Sequence, residues 1–283
     1  MNKGFGKTMI NVFVAAGVFY VAVVVLMYAM QRNLMYFPDS RKPFPAASGM
    51  PDMREVSVTT EDGLTLLAWA APPKTQGMPT VVLFHGNAGN IGHRGFKARL
   101  FLDAGFGLVL AEYRGYGGNP GEPSEEGFYA DGRAVMAALP SLGVPSNQVV
   151  LYGESLGTGV AVKMAAAAAQ AGTPVAALVL EAPFTSTADA GAIHYPFLPV
   201  HLLMKDRYAS IERIADVSAP VFVVHGEQDR TVPQKLGRQL FNAAQEPKEA
   251  LWLATAGHND VFEHGAGPAV IDFLRRYVNG AAK

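Results

Sequence analysis

One short segment constrains the fold most strongly, because it joins an apolar strand to a helix through a turn that favours glycine. Residues 149–157 read Val-Val-Leu-Tyr-Gly-Glu-Ser-Leu-Gly, an apolar run that leads into Gly-x-Ser-x-Gly and then into helical sequence. In so tight a turn, a side chain two residues before or after the serine would collide with neighbouring backbone. The turn holds the hydroxyl of Ser155 exposed, and the pattern predicts a nucleophile. The alternative is a glycine-rich turn with an incidental serine.

Beyond residue 54 the chain alternates short apolar runs with longer helical segments. Two runs flank Glu-Asp-Gly at 61–63, which predicts a hairpin. The later runs are fully apolar and are separated by helical segments, which predicts a mostly parallel sheet with helices on both faces. The predicted strands are Glu55–Thr60, Leu64–Ala70, Thr80–Phe84, Gly107–Ala111, Gln148–Tyr152, Ala177–Glu181, Pro220–His225 and Ala250–Ala254, and the predicted helices are Arg94–Ala104, Ser124–Leu139, Leu156–Ala171, Pro233–Ala244 and Pro268–Val278.

Composition and short motifs exclude several kinds of site. Lys+Arg 23 against Asp+Glu 24 leaves no basic excess, so we expect no nucleic-acid partner. The absence of cysteine removes disulfides, thiolate zinc sites, iron–sulfur clusters and thiol nucleophiles. The glycine-rich stretch 86–92 lacks the Gly-Lys-Ser/Thr ending of a phosphate loop, and the chain has no His-Glu-x-x-His. We therefore expect neither a metal nor a cofactor.

An uncharged apolar segment of 22 residues, Met9–Met30, begins near the N-terminus. As a helix it would be about 33 Å long, enough to cross a hydrocarbon core of about 30 Å. A cleaved signal peptide would have a shorter apolar stretch that ends in small residues, and a buried core helix would carry one polar face. We therefore predict an uncleaved single-pass anchor, with Tyr28, Tyr36 and Phe37 as aromatic residues at the interface.

The orientation of this anchor is left open by the charges around it. Lys3 and Lys7 precede the span, and Arg32, Arg41 and Lys42 follow it, so positive charge does not clearly mark a cytoplasmic side. Of the two orientations, we favour the one that places the catalytic part outside the cytoplasm.

The predicted organisation has three parts. Residues 1–32 form the anchor, residues 33–54 form a proline-rich linker and residues 55–283 form one domain. Within the domain, an insertion at about 182–214 joins two core strands. It is longer than ordinary connections and is therefore a candidate lid. Its strip 193–204 is apolar and aromatic, and we expect it to line an acyl pocket, to touch the bilayer or to pack on the core.

The strand–Gly-x-Ser-x-Gly–helix segment resembles the α/β-hydrolase superfamily, and the resemblance covers about residue 55 to the C-terminus. It implies a mostly parallel central sheet with helices on both faces, a short lid insertion and catalytic residues in the chain order Ser, acid, His. The blocks at 85–94, 113–117 and 123–127, together with the N-terminal anchor, resemble a membrane-anchored branch. That branch is classed with serine aminopeptidase-like hydrolases, and its relatives include enzymes that remove acyl groups from proteins.

The resemblance also implies the acid and the base. The family places the acid after the penultimate strand, and the block His-Gly-x-x-Asp-x-x-Val-Pro at 225–233 favours Asp229 over its rival Glu227. Only His258 and His264 follow Asp229 in the chain. His258 lies just past the last predicted strand, where the family's histidine loop belongs, and is the expected base. We expect His264 to be an ordinary polar residue.

The negative oxygen of the transition state needs two N–H donors. The residue after the nucleophile supplies one, which is the backbone N–H of Leu156. By the family's His-Gly-x pattern, the second is the backbone N–H of Asn87. For His85, a buried ring that braces this loop is the favoured interpretation over a second catalytic histidine.

We therefore expect a serine hydrolase that cleaves a carboxylic ester, thioester or amide of a small-molecule or acylated substrate through an acyl-enzyme on Ser155. One alternative is an aminopeptidase-like peptidase in which Asp189 or Asp206 binds a free amine, although caps and surface positions are the commoner roles of such carboxylates. A second alternative is a non-catalytic receptor or scaffold with the same fold.

Overall fold

A mixed eight-stranded sheet forms the centre of the protein. The computed structural model describes residues 3–278, with side chains from residue 7 onward. The strand order is β10-β9-β8-β7-β4-β6-β3-β2; β3 runs antiparallel to both neighbours, and all other adjacent pairs are parallel. A separate two-residue parallel pair joins β1 to β5. The strands are β1 (Phe37–Pro38), β2 (Arg54–Thr59), β3 (Thr65–Ala71), β4 (Thr80–Phe84), β5 (Ala88–Gly89), β6 (Gly107–Ala111), β7 (Val149–Glu154), β8 (Ala177–Glu181), β9 (Val221–Gly226) and β10 (Lys248–Leu253).

Helices cover both faces of this sheet. Because side chains alternate along a strand, Val82 and Phe84 of β4 face one apolar core and Val81 and Leu83 face the other. The first core contains residues of α3, α4 and α7, and the second contains residues of α2 and α8. The helices are α1 (Lys3–Met35), α2 (Gly95–Asp103), α3 (Glu125–Ala138), α4 (Leu156–Gln170), α5 (Thr187–His194), α6 (Val200–Leu203), α7 (Gln234–Ala243) and α8 (Ala266–Tyr277).

The predicted hairpin, the parallel strands and the helices on both faces are confirmed. The structure adds elements that were not predicted, namely the short pair β1 and β5 and the helices α5 and α6, and several predicted elements differ at their ends. The strand before Ser155 extends two residues further than predicted, to Glu154, and the last helix begins at Ala266. These ends are set by contacts with neighbouring elements rather than by the local apolar pattern.

Helix α1 contains a candidate membrane span, residues 7–35, by length and composition. The most apolar window of that span is not buried against the rest of the protein, as expected of a lipid-facing helix. The helix ends at Met35, three residues beyond the predicted end of the anchor.

The prediction for Tyr36 as an interface aromatic is wrong. Only 5% of Tyr36 is exposed; its ring packs edge-on against Phe128, and its hydroxyl lies 3.0 Å from that of Tyr208. The chain turns into the domain directly after Met35, so this ring enters the core. Phe37 is half exposed and Tyr28 is exposed, so their placement at an interface stays a prediction.

The segment after α1 lies on the domain. Met50 and Met53 are buried in the second core, and β1 pairs with β5. The candidate lid, which contains α5 and α6, is tied to the end of α1 by an ion pair. Both Arg32 Nε and Nη2 donate to the carboxylate of Asp206, at 2.7 and 3.0 Å. Asp206 is buried and also accepts from the Glu125 N–H, so it does not offer a free carboxylate to a substrate amine.

Candidate active site

The turn after β7 places Ser155 in a strained conformation. Its φ is +50°, which L residues rarely adopt, and the next residue begins α4. A Cβ on Gly157 would lie 2.0 Å from the carbonyl oxygen of Phe84, and one on Gly153 would lie 2.5 Å from the Cα of Thr158. Both glycines are therefore required by close backbone approach, as the sequence predicts.

The structure brings Ser155, His258 and Asp229 together from three separate loops. Ser155 Oγ lies 2.9 Å from His258 Nε2, and His258 Nδ1 lies 2.6 Å from Asp229 Oδ2. Both distances are those of good hydrogen bonds. The loops follow β7, β9 and β10, which are parallel strands whose carboxyl ends lie along the same edge of the sheet.

Backbone groups fix the orientation of the Asp229 carboxylate. Its Oδ1 accepts hydrogen bonds from the N–H groups of Thr231 and Val232, both at 2.8 Å. Its Oδ2 is thereby left to face His258. The buried ring of His225 also borders this carboxylate: His225 Nε2 lies 2.8 Å from the carbonyl oxygen of Val232 and 3.2 Å from Asp229 Oδ2. Both neighbours are acceptors, so this nitrogen carries the proton.

The same contacts keep Asp229 ionised. Burial would raise the pKa of its carboxyl group, but hydrogen bonds from His225 and His258, together with the N–H of Val232, outweigh burial and hold that pKa well below its usual range. An ionised Asp229 acts as the acceptor that orients the His258 ring. His225 was not singled out as a supporting residue in the sequence, although it is the first residue of the His-Gly-x-x-Asp block that marks Asp229.

The two expected N–H donors lie beside the serine. Leu156 is the first residue of α4, where backbone N–H groups are free of intrahelical partners. Asn87 lies in the loop after β4, and two hydrogen bonds fix its position. Its side-chain amide donates to the carbonyl of Met35, and its backbone carbonyl accepts from the N–H of Phe37. Asn87, Leu156 and Ser155 border the same cavity.

The remaining polar candidates have structural partners. His85 is buried and braces the loop, with Nδ1 at 2.7 Å from Gly86 O and Nε2 at 2.9 Å from Glu112 Oε1. His264 contacts the hydroxyl of Thr255. Glu227 is paired with Arg238. Among the residues that the structure describes, no group of three or more His, Asp or Glu side chains is arranged to hold a metal ion.

A largely apolar cavity of about 280 Å³ opens beside Ser155. Its walls come from the C-terminal half of α1, from the candidate lid and from the loops that carry Asn87 and Thr231. Asp189, the second candidate for binding an amine, does not border the cavity. It instead accepts hydrogen bonds from the hydroxyls of Thr185 and Ser186 at the start of α5.

A largely buried charge cluster lies next to the nucleophile turn. Lys97 Nζ donates to Glu154 at 2.6 Å and to both oxygens of Glu181 at 2.7 and 2.8 Å. Arg94 pairs with Glu154 at 3.0 Å. Burial alone would raise the pKa of Glu154, but Lys97 and Arg94 lower that pKa to about 2. The charge next to the nucleophile is therefore neutralised within the fold.

Replacement of Lys97 by methionine is expected to destabilise the protein by about 3–5 kcal/mol at neutral pH, because the buried carboxylate of Glu181 and the largely buried one of Glu154 lose their shared cation. Burial then raises their pKa values, and protonation at lower pH relieves the repulsion. In the wild type, by contrast, the stabilisation from Glu154 is complete above the ordinary carboxyl pKa and is lost as the pH falls towards 2. The stability difference should therefore shrink between about pH 7 and 5.

Thermal unfolding in detergent, followed by near-ultraviolet circular dichroism, measures this difference. Lys235→Met, at an exposed position of α7, is the matched control and should shift stability by no more than about 0.5 kcal/mol. Equal effects of the two substitutions would contradict the assignment of Lys97 as the cation of this cluster.

The chain is similar in sequence to known proteins over most of its length. The family model described as the alpha/beta hydrolase fold matches residues 79–210. A Mycobacterium tuberculosis protein named Uncharacterized protein Rv2307c is 43% identical over 263 residues, which cover 92% of this chain and 91% of that protein. The chain belongs to the α/β-hydrolase family. The resemblance of the Gly-x-Ser-x-Gly segment to this family is thereby confirmed.

Two other similar proteins carry more specific names. Lysophosphatidylserine lipase ABHD12 of Danio rerio is 28% identical over 272 residues, 81% of this chain and 71% of that protein. The esterase Pf2001 of Pyrococcus furiosus has a TM-score of 0.68 at 17% identity, over 86% of this chain and 99% of the esterase. The second likeness shows a shared fold. Family membership and the lipase among the relatives support hydrolase activity.

Proposed function

We propose that this α/β-hydrolase is a serine hydrolase that cleaves a carboxylic ester or thioester through an acyl-enzyme on Ser155. The observation that carries the proposal is the continuous hydrogen-bonded path from Ser155 Oγ through the His258 ring to Asp229. A serine hydroxyl is a weak nucleophile, and an oriented base that accepts its proton makes it reactive.

In the first half of the reaction, Ser155 Oγ bonds to the carbonyl carbon while its proton passes to His258 Nε2. The developing negative oxygen accepts hydrogen bonds from the N–H groups of Leu156 and Asn87, with the N-terminus of α4 adding favourable electrostatics. His258 then protonates the leaving alcohol or thiol, and the acyl group remains on Ser155. In the second half, water attacks the carbonyl carbon of this ester while His258 takes one proton from the water. The bond to Ser155 Oγ then breaks, His258 passes that proton to Oγ, and the carboxylic acid leaves.

The cavity favours an acyl substrate over the alternatives. Among the described residues that border it, none is Lys, Arg, Asp or Glu, so it offers no carboxylate to hold the free amine of a peptide. The intact path from Ser155 to Asp229 argues against a non-catalytic receptor. The lipase and esterase names of the relatives point to the same chemistry.

We further propose that α1 anchors the enzyme as a single membrane span. The uncharged stretch at 9–30 is long enough to cross the hydrocarbon core, and ABHD12, a lipase by name, is among the relatives.

Labelling with a fluorophosphonate, which phosphonylates activated serine hydroxyls, tests this function. We expect the full-length protein in isolated membranes to be labelled, the label to map to the peptide that contains Ser155, and Ser155→Ala to remove it. Labelled protein should stay in the membrane pellet after alkaline carbonate extraction. Folded protein that takes up no label would favour the receptor alternative, and release by carbonate would contradict the anchor.

A further inference from the structure

The cavity beside Ser155 has one wall made by the candidate membrane helix itself. Six residues of α1 border it, and their spacing of three, one, three, three and one positions places them on one helical face. They are Val24, Met27, Tyr28, Gln31, Leu34 and Met35. The opposite wall belongs to the lid and includes Leu198, Val200 and Leu203.

We infer that this cavity binds the acyl chain of a membrane lipid, which enters from the bilayer between α1 and the lid with its ester carbonyl directed to Ser155. The inference rests on the serine hydrolase function proposed above. The walls are mainly aliphatic and contain no Lys, Arg, Asp or Glu among the described residues, so burial of methylene groups is the main source of affinity that they offer. Ser155 and the residues of both N–H donors, Leu156 and Asn87, border the same cavity, so an acyl chain in it can place its ester carbonyl next to the nucleophile.

The depth of the helix supports entry from the bilayer. About 20 helical residues span the hydrocarbon core. Counted from Lys7, the charged residue that begins the apolar span, the core ends near Met27. The cavity wall from Val24 to Met35 therefore extends across the leaflet boundary on the side of the domain. A lipid ester lies at that level, between acyl chains and headgroups.

The lid presents apolar side chains at the same level. Tyr195 and Phe197 are exposed, and Leu202 is 82% exposed. The lid meets α1 deep along the helix, where the Tyr20 hydroxyl donates to the carbonyl of Phe197 at 2.8 Å. Exposed apolar side chains next to a membrane helix are stable in lipid and unfavourable in water. They place the lid tip in the same leaflet as the substrate.

Two methionines one turn apart on α1 provide a matched test. Met27 borders the cavity, whereas Met30 is exposed and does not. Full-length protein in detergent micelles is assayed with p-nitrophenyl butyrate and p-nitrophenyl dodecanoate. Each buried methylene is worth about fourfold in kcat/KM, so a tryptophan at 27 that excludes two or three methylenes should lower kcat/KM for dodecanoate about 16- to 60-fold. It should lower the value for butyrate much less than the value for dodecanoate, and Met30→Trp should leave both esters within about twofold.

The readout is the dodecanoate-to-butyrate ratio of kcat/KM. A ratio that Met27→Trp leaves unchanged, or that Met30→Trp lowers equally, overturns the acyl site while butyrate hydrolysis and fluorophosphonate labelling persist. If the wild-type protein neither hydrolyses butyrate nor takes up the fluorophosphonate label, the proposed function itself is overturned, which is a distinguishable result.

A second experiment tests whether the substrate's acyl chain enters from the bilayer or from solution. Lauroyl lysophosphatidylcholine in phosphatidylcholine vesicles is compared with lauroyl-coenzyme A in solution, using the double variant Phe197→Ser, Leu202→Ser. We expect the rate on vesicles to fall at least about fivefold and the rate on the soluble thioester to stay within about twofold. An unchanged vesicle rate, or an equal fall on both substrates, overturns entry from the bilayer.

Discussion

Replacement of Ser155 by alanine is expected to lower kcat for p-nitrophenyl butyrate by about 10⁶-fold, because removal of the nucleophile disables the whole relay. Leu156, Asn87 and the cavity remain in this variant, so KM should change little. The measurement is steady-state hydrolysis by full-length protein in detergent, with thermal unfolding as the check on the fold.

Ser141→Ala supplies the control, because this serine is exposed, does not border the cavity and donates to the nearby carbonyl of Ala138 in the turn after α3. It should retain full activity. A Ser155→Ala protein that keeps more than about a tenth of the wild-type rate would show that another group performs the attack.

The second large effect is expected at Asp229, where asparagine should lower kcat by about 10⁴-fold. Oδ1 already accepts from the N–H groups of Thr231 and Val232, so the oxygen of the new amide keeps that position. The NH₂ group then faces His258 Nδ1, which becomes an acceptor. The proton of a neutral ring moves to Nε2, and that nitrogen can no longer take the proton of Ser155.

Glu227→Gln is the matched control, since Glu227 is the rival carboxylate of the same loop and pairs with exposed Arg238. We expect its kcat to stay within about twofold of wild type. Because the wild-type pKa of Asp229 lies well below the usual range, titration of Asp229 itself should not contribute to the pH dependence of the wild-type rate between about pH 6 and 8. A larger loss in Glu227→Gln than in Asp229→Asn would reverse the assignment of the acid.

The parts of the site that local backbone chemistry determines were predictable from sequence. The turn around Ser155 needs glycine at 153 and 157 because of contacts within and beside one short segment. Asp229 and His258 each follow a strand, and parallel strands bring their carboxyl ends to one edge. The pattern thus identified three residues that the fold does bring together.

Features that depend on distant pairing were not predictable in the same way. Lys97 lies 57 residues from Glu154 and 84 from Glu181, so no local pattern indicates that one ammonium group neutralises both. Tyr36 follows an apolar helix and has the composition of an interface residue. Only its contacts with Phe128 and Tyr208 show that it belongs to the core.

The sequence also did not indicate that α1 forms one wall of the cavity. Periodicity along 9–30 is weak because nearly every position is apolar, so the face that meets the lid cannot be distinguished from the face that meets lipid. The sequence left open whether the lid strip lines an acyl pocket or touches the bilayer, or instead packs on the core. Its position opposite α1 shows that part of it borders the cavity while Phe197 and Leu202 remain exposed.

The ion pair between Arg32 and Asp206 decides where the chain can be cut to obtain a water-soluble catalytic fragment. A chain that starts at residue 33 lacks the Arg32 guanidinium and leaves the buried carboxylate of Asp206 in the lid without its cation. The last turn of α1 therefore contributes to the stability of the catalytic domain, although the sequence assigns it to the membrane anchor. A soluble fragment should therefore start before Gln31. In the retained part of α1, residues that border the cavity should be kept, and apolar residues that face away from the protein should be replaced by polar ones.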